Sequence, residues 1–115
     1  MNWKAVLFDL DGTLVETSPE IADAVNDTLR HFSLAEVTQP QVDSWIGQGT
    51  KELLILALAH LSGQRAEQVR HSAQLRDMLP VFDTHYQARC GTRSRLYPHV
   101  RETLTALRKR GSRLA

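Results

Sequence analysis

The sequence predicts an α/β fold interrupted early by a block of helices, on three observations: an apolar run ending in two aspartates, a long stretch of helical periodicity, and a strand-like start in the last residues. Residues 3–8 (WKAVLF) contain β-branched and aromatic members and stop abruptly at Asp9-Leu10-Asp11-Gly12-Thr13. That is the pattern of a buried strand feeding a tight turn. Residues 112–115 resemble the beginning of a second strand.

Between these ends the elements follow in order. Ser18-Pro19-Glu20 supplies an N-cap, a proline at the first helical position and an acid in the first turn. Ile21, Val25, Leu29 and Phe32 then recur with helical spacing, so an amphipathic helix of about three turns is expected. Thr38-Gln39-Pro40-Gln41 has the spacing of a capping box, and the short helix behind it should end near Gly47. Over residues 50–61 the positions Leu53, Leu54, Ala57, Leu58 and Leu61 define a third helix, with Gly63 at its C-cap. Ala66, Val69 and Ala73 continue the helical rhythm, and Leu79, Phe82 and Tyr86 carry it past Pro80. Proline lacks an amide hydrogen and clashes with the preceding turn, so it should kink or restart the helix. Residues 91–98 read as a loop. Val100, Leu104 and Leu107 mark a last helix closed by Gly111.

The chain has 115 residues, 42% hydrophobic and 23% charged, the composition of one globular domain. Its apolar runs fall well short of the ~20 residues that a membrane-spanning helix needs. The start lacks the apolar stretch and cleavage site of a signal peptide, so a cytoplasmic protein is expected. Cys90 has no cysteine partner for a disulfide or a zinc site. His31, His60, His71, His85 and His99 form no i, i+4 pair on a shared helix, so surface or partly buried positions are expected for them. Trp3 and Trp45 are expected to pack in the core or the cap rather than serve as ligand platforms. Net charge is +1, yet Arg89, Arg93, Arg95, Arg101, Arg108, Lys109, Arg110 and Arg113 crowd the last quarter of the chain. No aromatic residues are interleaved with them for stacking, and three of them close a helix. A solvated face is therefore preferred to a nucleic-acid surface.

The chemistry lies in the paired aspartates. Open α/β folds gather ligands beyond the carboxyl ends of their strands, where Asp9 and Asp11 would sit. Side chains at i and i+2 of an extended backbone point the same way, so both can address one ligand. Two hard oxygen donors that repel one another without a cation suit magnesium. Gly12 allows a sharp turn and close backbone approach, and the Thr13 hydroxyl and amide are expected to be free to hold phosphate oxygens.

Val6-Leu7-Phe8-Asp9-Leu10-Asp11-Gly12-Thr13-Leu14 resembles the first motif of the haloacid dehalogenase-like hydrolases. The resemblance implies a Rossmann-like core, of which the first strand, one helix and the start of the second strand are present, with an inserted helical cap. Residues 1–15 would open the core, residues 16–90 form the cap, and residues 91–115 return to the core. It further implies that Asp9 is the nucleophile, forming an aspartyl-phosphate, and that Asp11 is the general acid and base. Magnesium would be held by the Asp9 carboxylate and the Asp11 carbonyl. The aspartate at position 11 sets the chain apart from the dehalogenases of the superfamily. The family's usual Leu-Val-Asp-Ser is here Leu14-Val15-Glu16-Thr17-Ser18, which keeps acid and hydroxyl character.

Residues 43–49, residues 82–86, and residues 96–100 with Glu102-Thr103-Leu104 resemble the bacterial phosphoglycolate phosphatases within that superfamily. This implies hydrolysis of 2-phosphoglycolate, a small phosphate ester, to glycolate and phosphate. Gly49 and Lys51, at the start of the third helix, are candidates for binding the substrate carboxylate. The Ser or Thr, the Lys and the further acids that complete such a site would follow residue 115. The chain is accordingly expected to be the first part of a longer enzyme, inactive when isolated. Two alternatives stay open: another capped phosphatase or phosphomutase acting on a small sugar phosphate, and a non-catalytic truncated product.

Overall fold

A computed structural model describes residues 3–115, which divide into two compact units, residues 3–17 with 94–115, and residues 18–93. The fold is α/β, with four two-residue strands and six helices among the described residues.

In the first unit, β1 (Ala5–Val6) pairs in parallel with β4 (Arg113–Leu114), Ala5 opposite Arg113 and Val6 opposite Leu114. Parallel neighbours need a long crossover, and the second unit is inserted within it. β2 (Val15–Glu16) pairs antiparallel with β3 (Arg95–Leu96), so the segment expected to be a plain loop over residues 91–98 contains a strand. Sequence pattern could not reveal it, because two residues carry no measurable alternation. α6 (Val100–Lys109) packs on β4 and ends at Gly111, whose φ of +85° closes the helix as expected. The Ser112 hydroxyl donates to the Trp3 carbonyl at 2.6 Å. Trp3 itself is 57% exposed and Leu7 82% exposed, so Trp3 is not the core residue expected. A two-stranded sheet covered on one face has too little area to bury both of its faces.

The second unit is helical: α1 (Ser18–His31), α2 (Gln39–Trp45), α3 (Thr50–Ser62), α4 (Ala66–Arg70) and α5 (Ala73–Arg89). α1 runs for 14 residues, nearly four turns, and lays its apolar stripe against α5. Val25, Leu29, Leu54, Ile55, Leu75, Met78 and Phe82 are buried in one continuous cluster, with Trp45 half-buried at its edge. The capping box at α2 is formed: the Thr38 hydroxyl accepts from the Gln41 amide, and the Gln41 side chain accepts from the Thr38 amide at 2.8 Å. The loop after α1 is pinned by Asn26, whose side chain both donates to the Val37 carbonyl (2.9 Å) and accepts from the Val37 amide (2.8 Å).

Of the two outcomes expected at Pro80, a restart does not occur; α5 runs through it. Pro80 and Arg76 lie on the exposed side, so the carbonyl that loses its partner can be hydrated. The break falls earlier, at Ser72, which caps α5 by accepting from the Leu75 amide at 3.2 Å. Among the described residues no helix is long and apolar enough to cross a membrane.

Asp27 is held below the ordinary carboxyl value of 3.8, chiefly by its hydrogen bonds from Arg89 (2.7 and 2.9 Å), with the charges of Arg89, Arg30 and His85 adding and burial opposing. A depressed carboxyl contributes stability that is present above its unfolded value and is lost as pH falls through the lower folded value. The stability difference between the native chain and Asp27→Asn should therefore be constant from neutral pH down to about 5 and close below about 4. Chemical denaturation at a series of pH values measures it. Phe82→Ala should cost about 3–5 kcal/mol in the same assay, since it opens a cavity in a packed core.

Candidate active site

The parallel ladder extends beyond the regular strands. The Arg113 amide donates to the Lys4 carbonyl (3.0 Å), Ala115 to Val6 (3.1 Å), and Phe8 to Ala115 (2.7 Å). Asp9 is thus the first residue past the last rung, at the carboxyl ends of two parallel strands, where open α/β sheets place their ligands.

The chain then wraps around one oxygen. The Leu10 carbonyl accepts the amides of Thr13 (3.3 Å), Leu14 (3.0 Å) and Val15 (3.0 Å), while the Gly12 amide donates to the Val15 carbonyl (2.9 Å). Gly12 has a φ of +78°, a conformation that side-chain-bearing residues rarely adopt. Asp9 keeps one carboxyl oxygen on the Leu10 amide at 3.0 Å. Asp9, Asp11, Gly12 and Thr13 are all exposed. The loop thus carries all four at its solvent-exposed surface.

Two details differ from the sequence expectation. Asp11 does not continue the strand of Asp9; it lies in the turn and bridges to Val15. The bonds of the Thr13, Leu14 and Val15 amides to the Leu10 carbonyl fold the chain back at that point. The Thr13 amide is not free either, since it donates to the Leu10 carbonyl, which leaves the Thr13 hydroxyl as its open polar group. Thr13 also lines a shallow cleft of about 200 Å³ with Phe8, Leu14, Pro98, His99 and Thr103.

Leu14 and Val15 fasten the loop to the rest of the first unit. The Tyr97 amide donates to the Leu14 carbonyl at 3.1 Å, Val15 lies opposite Leu96, and Arg95 pairs with Glu16 at 3.0 Å. The sequence named most of these residues as motif positions but not this holding role, which for Leu14, Val15, Leu96 and Tyr97 runs through backbone groups that any side chain could accompany.

Gly49 and Lys51 belong to the second unit. Gly49 is the N-cap of α3 with a φ of +91°, and Lys51 is exposed in its first turn. Among the described residues no group of three or more His, Cys, Asp or Glu stands close enough to hold a metal ion. The Asp9 and Asp11 carboxyls and the Asp11 carbonyl are hard oxygen donors of the kind magnesium takes, so the donor type fits, with further ligands needed. Of the five histidines, His85 is half-buried and the others exposed. Cys90 is an exposed free thiol at the end of α5.

A family model described as haloacid dehalogenase-like hydrolase matches residues 6–115. The chain belongs to that family. It is 39% identical over 113 residues to a phosphoglycolate phosphatase of Nitrosospira multiformis, covering 97% of this chain and 48% of the relative. It is 36% identical over 114 residues to that of Haemophilus influenzae, covering 99% and 50%. Among solved structures, a protein described as a predicted phosphoglycolate phosphatase from Haemophilus somnus superposes with a TM-score of 0.82 at 30% identity, covering 99% of this chain and 50% of that one. The chain therefore spans about half the length of the curated relatives it matches.

A Cβ at Gly12 would meet nothing within 4 Å, so any effect of substitution there comes from the backbone alone. Gly12→Ala should lower unfolding stability by about 1–2 kcal/mol, and Gly12→Asn by less, because Asn tolerates the left-handed region. Denaturant titration of both variants checks the order.

Proposed function

We propose that the whole protein is a magnesium-dependent phosphatase that hydrolyses 2-phosphoglycolate to glycolate and phosphate. The observation that carries this reading is the position of Asp9, one residue beyond the last ladder bond at the carboxyl ends of β1 and β4, with Asp11 in the turn that follows. In this reading an Asp9 carboxyl oxygen attacks phosphorus and the glycolate oxygen leaves. Asp11 gives that oxygen a proton and later takes one from the water that cleaves the aspartyl-phosphate. The Gly12 turn lets the phosphate approach the backbone, and the Thr13 hydroxyl donates to a phosphate oxygen. Magnesium, held by the Asp9 carboxyl and the Asp11 carbonyl, would offset the negative charge that otherwise repels the nucleophile from the ester.

Residues 18–93 would act as a cap that excludes water and reads the substrate. Gly49 and Lys51 would bind the substrate carboxylate there.

In the whole protein Asp9→Asn should reduce kcat on 2-phosphoglycolate by a factor on the order of 10³ or more, without loss of fold by circular dichroism. Chelation should abolish turnover, and added magnesium should restore it. Retention of substantial activity by Asp9→Asn would remove Asp9 as nucleophile. A preference for a sugar phosphate over 2-phosphoglycolate would keep the chemistry and change the substrate. Lys51→Ala should raise KM for 2-phosphoglycolate more than for a neutral phosphate ester, and equal effects on both would remove the carboxylate role.

A further inference from the structure

His99 stands out in the first unit for its backbone. Its φ of +66° lies in the left-handed region, which residues with bulky side chains adopt only at a cost in energy that glycine avoids. The conformation belongs to the start of α6, where His99 is the N-cap. There the Val100 amide donates to the Tyr97 carbonyl (3.3 Å) and the Thr103 amide to the His99 carbonyl (3.0 Å). Both are backbone bonds, which a glycine at position 99 would make as well. The imidazole forms no capping bond, and among the described residues none is joined to it by a hydrogen bond or an ion pair. The ring therefore does not hold the backbone in this conformation, and an outlier that the local fold does not require is a pointer to function.

What the residue does is line a cleft. The cleft of about 200 Å³ in the first unit takes Phe8, Thr13 and Leu14 from the segment that carries Asp9, and His99 and Thr103 from the start of α6. That volume is several times the ~30 Å³ that one water takes up in the liquid, so a phosphate group fits in size. Most of the lining residues are apolar, and the polar ones are Thr13, His99 and Thr103. A few polar groups converging on an apolar surface is the usual make-up of a small-ligand site. Its two sides are fastened to each other: the Tyr97 amide donates to the Leu14 carbonyl at 3.1 Å, and Val15 lies opposite Leu96. His99 is thus held next to the Asp9–Thr13 segment before any ligand arrives.

We propose that His99 is a further substrate-binding residue of the phosphatase site, its ring N–H donating to an oxygen of the same phosphate group that the Thr13 hydroxyl holds. An imidazole carries an N–H in either protonation state, so the contact needs no titration. The ring grips a non-reacting oxygen, which is present in substrate and transition state alike, so it acts on KM rather than on kcat. The identity of the ligand rests on the phosphatase reading; the contact between the ring and a phosphate group does not require turnover.

In the whole protein, His99→Gly removes the ring and suits the backbone, so it should unfold at the same denaturant concentration or higher. KM for 2-phosphoglycolate should rise about tenfold with kcat little changed, and the inhibition constant of inorganic phosphate should rise by the same factor. His99→Asn, which tolerates the left-handed region and keeps a shorter donor, should recover part of both. An unchanged KM, or a raised KM with the inhibition constant of inorganic phosphate unaltered, would overturn the proposal. Titration of the whole protein with inorganic phosphate, followed by NMR, reads the contact without turnover: the His99 ring resonances should move together with the Thr13 amide. Ring resonances that stay in place, whether or not Thr13 moves, would overturn it too. Because no reaction takes place in that titration, failure of His99 is told apart from failure of Asp9 as nucleophile.

Discussion

The Leu10 carbonyl oxygen governs the geometry of the candidate site. Three amides converge on it at 3.0–3.3 Å, more donors than a carbonyl has lone pairs, so the bonds are shared and the turn is drawn tight around one atom. The turn can close only because Gly12 takes a positive φ, and closing it leaves Asp9, Asp11 and Thr13 outward while the backbone is satisfied inward. A looser loop would have to order these groups when a ligand arrives. Here the ordering is done in folding, which is the condition for charge stabilisation without reorganisation.

The two units differ in what holds them. The continuous apolar cluster lies wholly within residues 18–93, whereas in the first unit only Val100 and Ser112 are classed as buried. Backbone hydrogen bonds carry the first unit: the β1–β4 ladder, the knot at Leu10 and the short β2–β3 pairing. Such bonds contribute modestly, about 1 kcal/mol each, and more when water is kept away. Local opening should accordingly be easier around the aspartates than around Phe82. The proposed chemistry and the main apolar core occupy different parts of the molecule.

Much of this was legible in the sequence, and where it was not, the reason is physical. The capping box at Thr38, the glycine closures at Gly63 and Gly111, and the starts of α1 and α3 are local signals, and local signals survive into the structure. Sequence left a kink and a restart open at Pro80, because the cost of a helical proline depends on whether the freed carbonyl meets water, which sequence does not state. β3 was missed because it exists only through its pairing with β2. The Asp9–Thr13 motif was readable from the sequence; the Leu10 knot within it was not, since it is made of backbone. Glu20 read as an ordinary first-turn acid, yet it is buried, and its carboxyl accepts the Thr92 amide 72 positions away.

The basic crowding in the last quarter of the chain shows how composition and structure can point in different directions. Arg89, Arg93 and Arg95 answer Asp27, Asp23 and Glu16 across separations of 62, 70 and 79 positions. Their acids all lie in the first quarter of the sequence, and the pairs run in antiparallel order. Exposed ion pairs contribute little to stability, typically below about 1 kcal/mol each, so these pairs occupy the arginines without adding much to the fold. A slip of one residue between β2 and β3 would turn their side chains to the opposite faces and separate Arg95 from Glu16. What reads from composition as a cationic surface is therefore in part a set of arginines already paired with acids of the first quarter of the chain.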